Sequence, residues 1–348
     1  MTIRIGISVC SSYPNVLPRT AAAYMTERAK AAREADLDSL FVGDHHVTPT
    51  PYYQNTAILG RMLAEWGDKP AGALYLLPLW NPVLLAEQVA TLAAIAAGPF
   101  ILQCALGGDA RQSAGMGVPF ARRRAMFEES LTILRRLWAG ETVTVDGQWS
   151  IEGARIAPLP PVPIDVWIGA QAPVAIRRTA RMAEGWLASP GLSVDQARDD
   201  LNRYRQACAE YDRNPAAIAI RRDVYVGASA EEARQVVRPY IEKGYRGFAE
   251  DALLFGSVEQ VAESLQAFQA MGYTDVIVRN LSSDQAESLG TIERLDQRLR
   301  PCGQKTSGYA ASIGQFNCCS GCGLVAGIVD FVALEHWLAP KAAKRPSN

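Results

Sequence analysis

Short apolar runs alternate with apolar stripes at helical spacing from residue 3 to about residue 299. The runs at 3–9, 39–42, 73–77, 100–105, 165–168, 185–188, 218–226 and 275–279 make eight strand candidates. Several are apolar at successive positions, the pattern of a parallel strand covered on both faces. Between them, Ala22, Met25, Ala29 and Ala32 return to one helix face, as do Phe127, Leu131, Leu134 and Trp138, and Val258, Val261, Leu265 and Phe268. Start signals agree: Asn81-Pro82 offers an N-cap with Pro at the first helical position, and Ser257 with Gln260 forms a capping box.

Eight strands, each followed by a helix, predict an α/β fold of the (β/α)8 TIM-barrel type, about 250 residues plus insertions. A doubly wound sheet would place a glycine-rich phosphate turn after the first strand. Here that turn is Ser11-Ser12-Tyr13-Pro14, without glycine. Two insertions are expected: a β-hairpin over 143–151 around Asp146-Gly147, and an excursion over 230–256 of the kind that acts as a lid. From Pro301 the composition changes, so residues 1–300 are read as the barrel and 301–348 as a Cys- and Gly-rich appendage. Within the appendage only Cys319 and Cys322 have zinc-ligand spacing, and one such pair is too few for a structural metal site.

Composition narrows the function. The chain has 348 residues, 49% of them hydrophobic, with a formal net charge of −1, and no segment gathers a basic stripe. A nucleic-acid partner is not expected. The apolar stretch 89–102 is broken by Gly98-Pro99 and is too short to span a bilayer, and the N-terminus enters a strand pattern at once, without a secretory pattern. Cys10, Cys104 and Cys208 are scattered as small buried hydrophobes would be in a reducing cytoplasm, where we expect the protein.

Ligands of parallel α/β proteins gather at the carboxyl ends of the strands. The second strand ends in Asp44-His45-His46, which holds two of the three histidines. The fourth ends in Gly107-Gly108-Asp109, where missing side chains let a flat ligand approach the backbone. The fifth leads through Gly169-Ala170-Gln171-Ala172 into a helix starting at Pro173, whose exposed N–H groups suit a phosphate. The eighth ends with Arg279-Asn280, a second anion partner. A metal-dependent barrel hydrolase could use Asp44, His45 and His46, but the remaining histidine, His336, lies in the appendage.

Together these pieces resemble the bacterial luciferase-like superfamily of flavin-dependent oxidoreductases. The resemblance runs through Ala35-Asp36-Leu37-Asp38-Ser39-Leu40-Phe41-Val42-Gly43-Asp44-His45-His46, then Leu77-Pro78-Leu79-Trp80-Asn81-Pro82 into Ala86-Glu87-Gln88. It continues through 128–138, Val166-Trp167-Ile168-Gly169, Ala183-Glu184-Gly185-Trp186 and Gly256-Ser257-Val258-Glu259-Gln260-Val261. It implies a barrel binding FMN or the deazaflavin F420 at the strand ends, with His45 near the ring as general base or hydrogen-bond partner and Asp44 orienting its imidazole. By the same analogy the ring packs near Leu74, Tyr75 and Gly107 with Gly108, and the phosphate meets Gly169, Ala170, Gln171 and Ala172. Where the family often carries Gly-Gly-Ser, this chain has Gly169-Ala170-Gln171, which removes a hydroxyl donor.

The activity implied is a monooxygenase using reduced FMN, from a separate flavin reductase, and dioxygen to oxidise a small organic substrate. F420-dependent hydride transfer is the alternative, and a non-catalytic flavin-binding protein is a further one. Tyr13, Tyr52, Tyr53 and Trp80 would wall the pocket and favour an apolar or aromatic compound. A homodimer through the second and third helices is also expected from the family.

Overall fold

Strands that are apolar on both faces need cover on both, and the chain supplies it by following nearly every strand with a helix. The structure, a computed structural model, describes residues 2–296. In chain order its elements are β1 (Arg4–Val9), α1 (Pro18–Glu34), β2 (Ser39–Val42), α2 (Asn55–Trp66), β3 (Ala71–Leu76), α3 (Pro82–Ile95) and β4 (Phe100–Ala105). Then come α4 (Ala110–Gly115), α5 (Arg123–Trp138), β5 (Val143–Asp146), β6 (Ser150–Ala154), β7 (Asp165–Gly169), α6 (Pro173–Met182) and β8 (Gly185–Ala188). The series ends with α7 (Val194–Glu210), β9 (Ala217–Val226), α8 (Ala230–Glu242), β10 (Leu253–Gly256), α9 (Val258–Met271), β11 (Asp275–Asn280) and α10 (Gln285–Arg294).

Strands β1, β2, β3, β4, β7, β8, β9 and β11 pair in parallel, and β11 returns to β1, closing the ring. The predicted TIM barrel is therefore the observed fold. The hairpin is present as antiparallel β5 and β6. Both predicted caps form: Asn81 accepts from the N–H groups of Val83 and Leu84, and Ser257 and Gln260 cap α9 reciprocally.

The excursion at 230–256 contains more order than its sequence suggested. It holds α8 and a ninth barrel-sheet strand, β10, only four residues long. The ten-residue β9 pairs with β8 from Ala217 to Ile220 and with β10 from Asp223 to Val226. A strand long enough to serve two neighbours on one edge lifts its upper half toward the barrel mouth.

Alternation along the strands sorts their side chains into two layers. Ile5, Ile7, Leu40, Val42, Ala73, Tyr75, Leu102 and Ile220 pack outward against the helices. Phe41, Ile101, Trp167, Ala217, Ala219 and Ile277 fill the lumen. By the same alternation, Leu74, Arg221, Asp223 and Arg279 lie on the lumen side nearer the carboxyl ends of their strands.

No described helix is long and apolar enough to cross a membrane. The boundary near residue 300 falls outside the described residues, as do the 301–348 segment with Cys302, Cys318, Cys319 and Cys322, and His336.

Candidate active site

His45 and His46 leave β2 with different partners. His45 is half-buried, and its Nδ1 lies 2.8 Å from Nε2 of the buried Gln112, in α4. The same Gln112 nitrogen donates to the backbone carbonyl of His46 at 2.9 Å. That second bond decides the first. A reversed amide would set its oxygen against the His46 carbonyl oxygen, so the nitrogen faces both groups and donates to both. Nδ1 of neutral His45 is therefore an acceptor, and the ring hydrogen sits on Nε2. Among the described residues, Nε2 meets no protein acceptor. The Tyr52 ring stands edge-on to the imidazole at 5.6 Å. Burial, with the Asp44 carboxylate adding to it, pushes the Tyr52 hydroxyl up to about 12, so it stays protonated.

Asp44 does not orient His45, contrary to the sequence expectation. Its Oδ2 accepts from the Leu76 backbone N–H at 2.8 Å and from Trp80 Nε1 at 2.9 Å. Its Oδ1 lies 3.0 Å from His46 Nε2, close enough to attract but outside hydrogen-bond geometry. Asp44 thus braces the turn after β3, and the carboxylate-imidazole contact belongs to His46. The reason is strand alternation: consecutive residues leaving a strand point to opposite sides.

The same rule corrects Tyr75. It is fully buried on the helix side of β3, its hydroxyl 3.0 Å from Thr56 Oγ1 and its ring against Trp80, so it does not face the mouth. Leu74, one residue earlier, does. Tyr13 is likewise a core residue, packed between Tyr24 and Tyr53. Cys10, expected as packing, follows the end of β1 and accepts from Arg279 Nη2 at 3.1 Å.

The ends of β4 and β7 form a floor nearly free of side chains. A Cβ at Gly108 would meet nothing within 4 Å, and one at Gly169 would make only ordinary contacts with Ala105 and the Cys104 carbonyl, at 3.6 Å. Neither glycine is forced by its neighbours, so the room they leave is available to a ligand. Gly107 has φ of 70° and sits against Leu76. Below, Gln103 Nε2 and Trp167 Nε1 are buried donors without partners. A flat, carbonyl-bearing ring fits such a floor.

At the start of α6 the expected anion site is present in part. The Ala170 N–H already donates to Leu187 O at 3.3 Å and is not free for a phosphate. Among the described residues, the N–H groups of Gln171, Ala172 and Val174 meet no protein acceptor. Gln171, Ala172 and Pro173 line a cavity of about 560 Å³ with Asp199, Asp200 and Arg203 on its other side. Among the described residues no group of three His, Cys, Asp or Glu side chains could hold a metal ion.

The family model described as luciferase-like monooxygenase matches residues 3–275. The chain belongs to the luciferase-like family. This luciferase-like chain is 26% identical over 338 residues to an F420-dependent glucose-6-phosphate dehydrogenase of Beutenbergia cavernae, covering 86% of this chain and 97% of that one. A protein of the same name from Intrasporangium calvum is 25% identical, with 76% and 91% covered. Among solved structures, an F420-dependent secondary alcohol dehydrogenase superposes with a TM-score of 0.73 at 16% identity, covering 86% of this chain and all (100%) of the other. The FMN-bound oxygenating constituent of 3,6-diketocamphane monooxygenase from Pseudomonas putida does so with 0.73 at 17%, covering 88% and 100%. These structural likenesses establish the shared fold. Family and relatives together make this an enzyme, a flavin- or F420-dependent oxidoreductase.

Gln112, Arg221 and Arg246 escaped the sequence reading. For Gln112 no local signal exists, since it meets His45 across 67 positions. Arg221-Arg222-Asp223 did carry one: three charged residues interrupting an apolar strand put charge on both its faces.

Proposed function

We propose that this luciferase-like enzyme is an F420-dependent oxidoreductase that moves a hydride between the deazaflavin and a small hydroxy or carbonyl compound. The observation that carries the reaction class is the Gln112 clamp, which leaves the Nε2–H of His45 as a donor beside a side-chain-free floor. The names of the relatives that align over most of the chain support F420 as the cofactor.

The bound cofactor supplies the hydride acceptor or donor. Leu74, Gly107, Gly108 and Gly169 would hold its ring, and the N–H groups of Gln171, Ala172 and Val174 its phosphate. His45 Nε2–H would then hydrogen-bond to the substrate oxygen, which carries developing negative charge in either direction of hydride transfer, while the hydroxyl proton, released on oxidation and taken up on reduction, would exchange with solvent water beside the half-buried imidazole. A fixed neutral donor of this kind is worth a factor of roughly 10² to 10³ in rate. For Nε2 to accept a proton as a general base, the hydrogen must sit on Nδ1, and Gln112 must then reverse its amide and give up the His46 carbonyl. His45 is thus held chiefly as a hydrogen-bond donor.

A reduced-FMN monooxygenase is the second reading, favoured by the description of the matching family model. There the same donor would face the flavin ring, and a separate flavin reductase would be required. Titration with oxidised F420 and with FMN, read by cofactor fluorescence, followed by anaerobic turnover with a panel of alcohols, separates the two. Tighter F420 binding with alcohol-dependent reduction is expected. FMN binding with oxygen consumption and no response to F420 would overturn the proposal.

A further inference from the structure

We infer that Val47 is a positioning residue for His45: its backbone angle aims the His46 carbonyl at Gln112, and so sets which nitrogen of the His45 ring carries the hydrogen. This deepens the reading above, and its effect on turnover rests on that reading.

Two local rules are broken where β2 hands over to its loop. Val47 has φ of 50°, in the left-handed region, and among the described residues the other non-glycine positions there are Asp36, Asp212 and Arg246. Aspartate reaches that region far more readily than a β-branched side chain, whose second γ carbon crowds the backbone. Burial does not compensate, because Val47 is 59% exposed. The second broken rule lies opposite. Gly115 is the last residue of α4 and its own φ is not positive, so no turn demands a glycine there. What demands it is Val47: a Cβ at Gly115 would stand 2.6 Å from Val47 Cγ1, 2.9 Å from Cγ2 and 3.2 Å from Cβ. The branched side chain lies flat on bare helix backbone.

Strain at such a residue persists only where the surroundings over-determine it. Here they act from three sides. On the strand side, the His46 ring stands edge-on to Trp80 at 5.4 Å, and the Asp44 carboxylate is held by Leu76 and Trp80. From further along the loop, Gln54 Nε2 donates to the His45 carbonyl at 3.3 Å, and the Thr50 N–H donates to Thr48 Oγ1 at 3.3 Å. From the side, α4 presents Gln112 and Gly115, three positions apart and hence on one helix face. Residues 45, 46 and 47 meet that face in succession. Gln112 Nε2 serves the His45 ring and the His46 carbonyl, and Gly115 receives Val47.

The peptide between His46 and Val47 is planar, so φ of Val47 fixes where the His46 carbonyl points relative to the seated side chain. At 50° the carbonyl accepts from Gln112 Nε2 at 2.9 Å. With φ turned to the usual negative region and the side chain still on Gly115, the carbonyl leaves that nitrogen. The Gln112 amide is then free to reverse and offer its oxygen to His45, which moves the ring hydrogen to Nδ1. Valine makes the geometry conditional. It holds this angle only while seated on α4, so the loop and the helix that carries Gln112 fix each other. A stiff loop alone would be served as well by glycine or asparagine, which reach positive φ unaided.

Nitrogen-15 NMR of the cofactor-free full chain at about pH 8, where an ordinary imidazole is neutral, tests the inference. Gly115→Ala unseats Val47. Val47→Pro fixes φ at about −65° and removes no protein hydrogen bond, since among the described residues the Val47 N–H donates to none. Val47→Asn keeps the left-handed region open without a seat. The first two should show the His45 hydrogen shared between Nδ1 and Nε2. With F420 bound, their kcat should fall about tenfold while KM and cofactor affinity move less than about twofold. Val47→Asn should keep the parental bare Nδ1 and protonated Nε2, a rescue that a mere packing role would not give. A parental tautomer in both Gly115→Ala and Val47→Pro would overturn the inference, as would a Val47→Asn protein as mixed as Val47→Pro. Should Val47→Pro fail to fold, Gly115→Ala against Val47→Asn carries the same decision. The tautomer is read without cofactor, so a shifted tautomer in a protein that binds no F420 keeps the role of Val47 and rejects the enzyme proposal.

Discussion

Replacing Gln112 by leucine tests the part of the site that geometry defines best. The side chain is buried, 3% exposed, and its nitrogen serves His45 Nδ1 at 2.8 Å and the His46 carbonyl at 2.9 Å. Leucine is of similar size but leaves both acceptors unpaired. At about 1–2 kcal/mol for each stranded group, the fold should lose roughly 2–4 kcal/mol. At about 2 °C per kcal/mol in a chain of this size, Tm should fall roughly 4–8 °C. The chemical effect is separable from the stability effect. Without the clamp the imidazole hydrogen can sit on either nitrogen, and kcat should drop about 10- to 100-fold while cofactor affinity changes little. Nitrogen-15 NMR of the histidines reads the tautomer directly, since the whole chain has only three. In the parent, Nδ1 of His45 should be unprotonated and Nε2 protonated. Gln112→Glu should reverse the pattern, because a carboxylate accepts from Nδ1–H. A parent His45 protonated on Nδ1, or a Gln112→Leu variant with parental tautomer and kcat, would refute the reasoning.

Asp44→Ala should cost about 3 kcal/mol by stranding the Leu76 and Trp80 donors, measurable as a urea midpoint, while the His45 nitrogen signals stay at their parental positions. Gly169→Ala adds a Cβ only into ordinary contacts, so stability should change by less than about 1 kcal/mol, while fluorescence titration shows cofactor affinity reduced about tenfold or more. Burial opposes the charge of Asp223, yet Arg221, Arg279 and Arg246 outweigh it and hold its carboxyl below the ordinary value. Its stabilising share is therefore complete above about pH 4 and is lost as pH falls through the depressed value, and urea midpoints of Asp223→Asn should show a flatter acid limb than the parent.

The barrel was legible because its signal is local. A strand buried on both faces must be apolar at successive positions, and all eight such runs became barrel strands. Caps at Asn81 and Ser257 were readable for the same reason: the donor and acceptor lie within three residues. The strand β10 was not, because four residues inside a long excursion acquire their identity only by pairing with the end of β9. The site was legible by region but not by role. His45 and the glycine floor stand at the strand ends where sequence placed them. The partners of His45 and Asp44 depend on alternation at the strand exit and on contacts across 32 to 67 positions, which no local pattern encodes. Tyr75 shows the cost of ignoring alternation. It is next to Leu74 in sequence and on the opposite face of the sheet in space.

The central claim is that the Nε2–H of His45 donates to the substrate oxygen beside a bound deazaflavin. Single-turnover hydride transfer, followed by F420 absorbance in the parent and in His45→Ala at saturating cofactor, tests it most directly. The account predicts equal F420 affinity in the two proteins and a rate lowered by roughly 10² to 10³ in the variant. A His45→Ala protein that binds F420 and transfers hydride at the parental rate would contradict it.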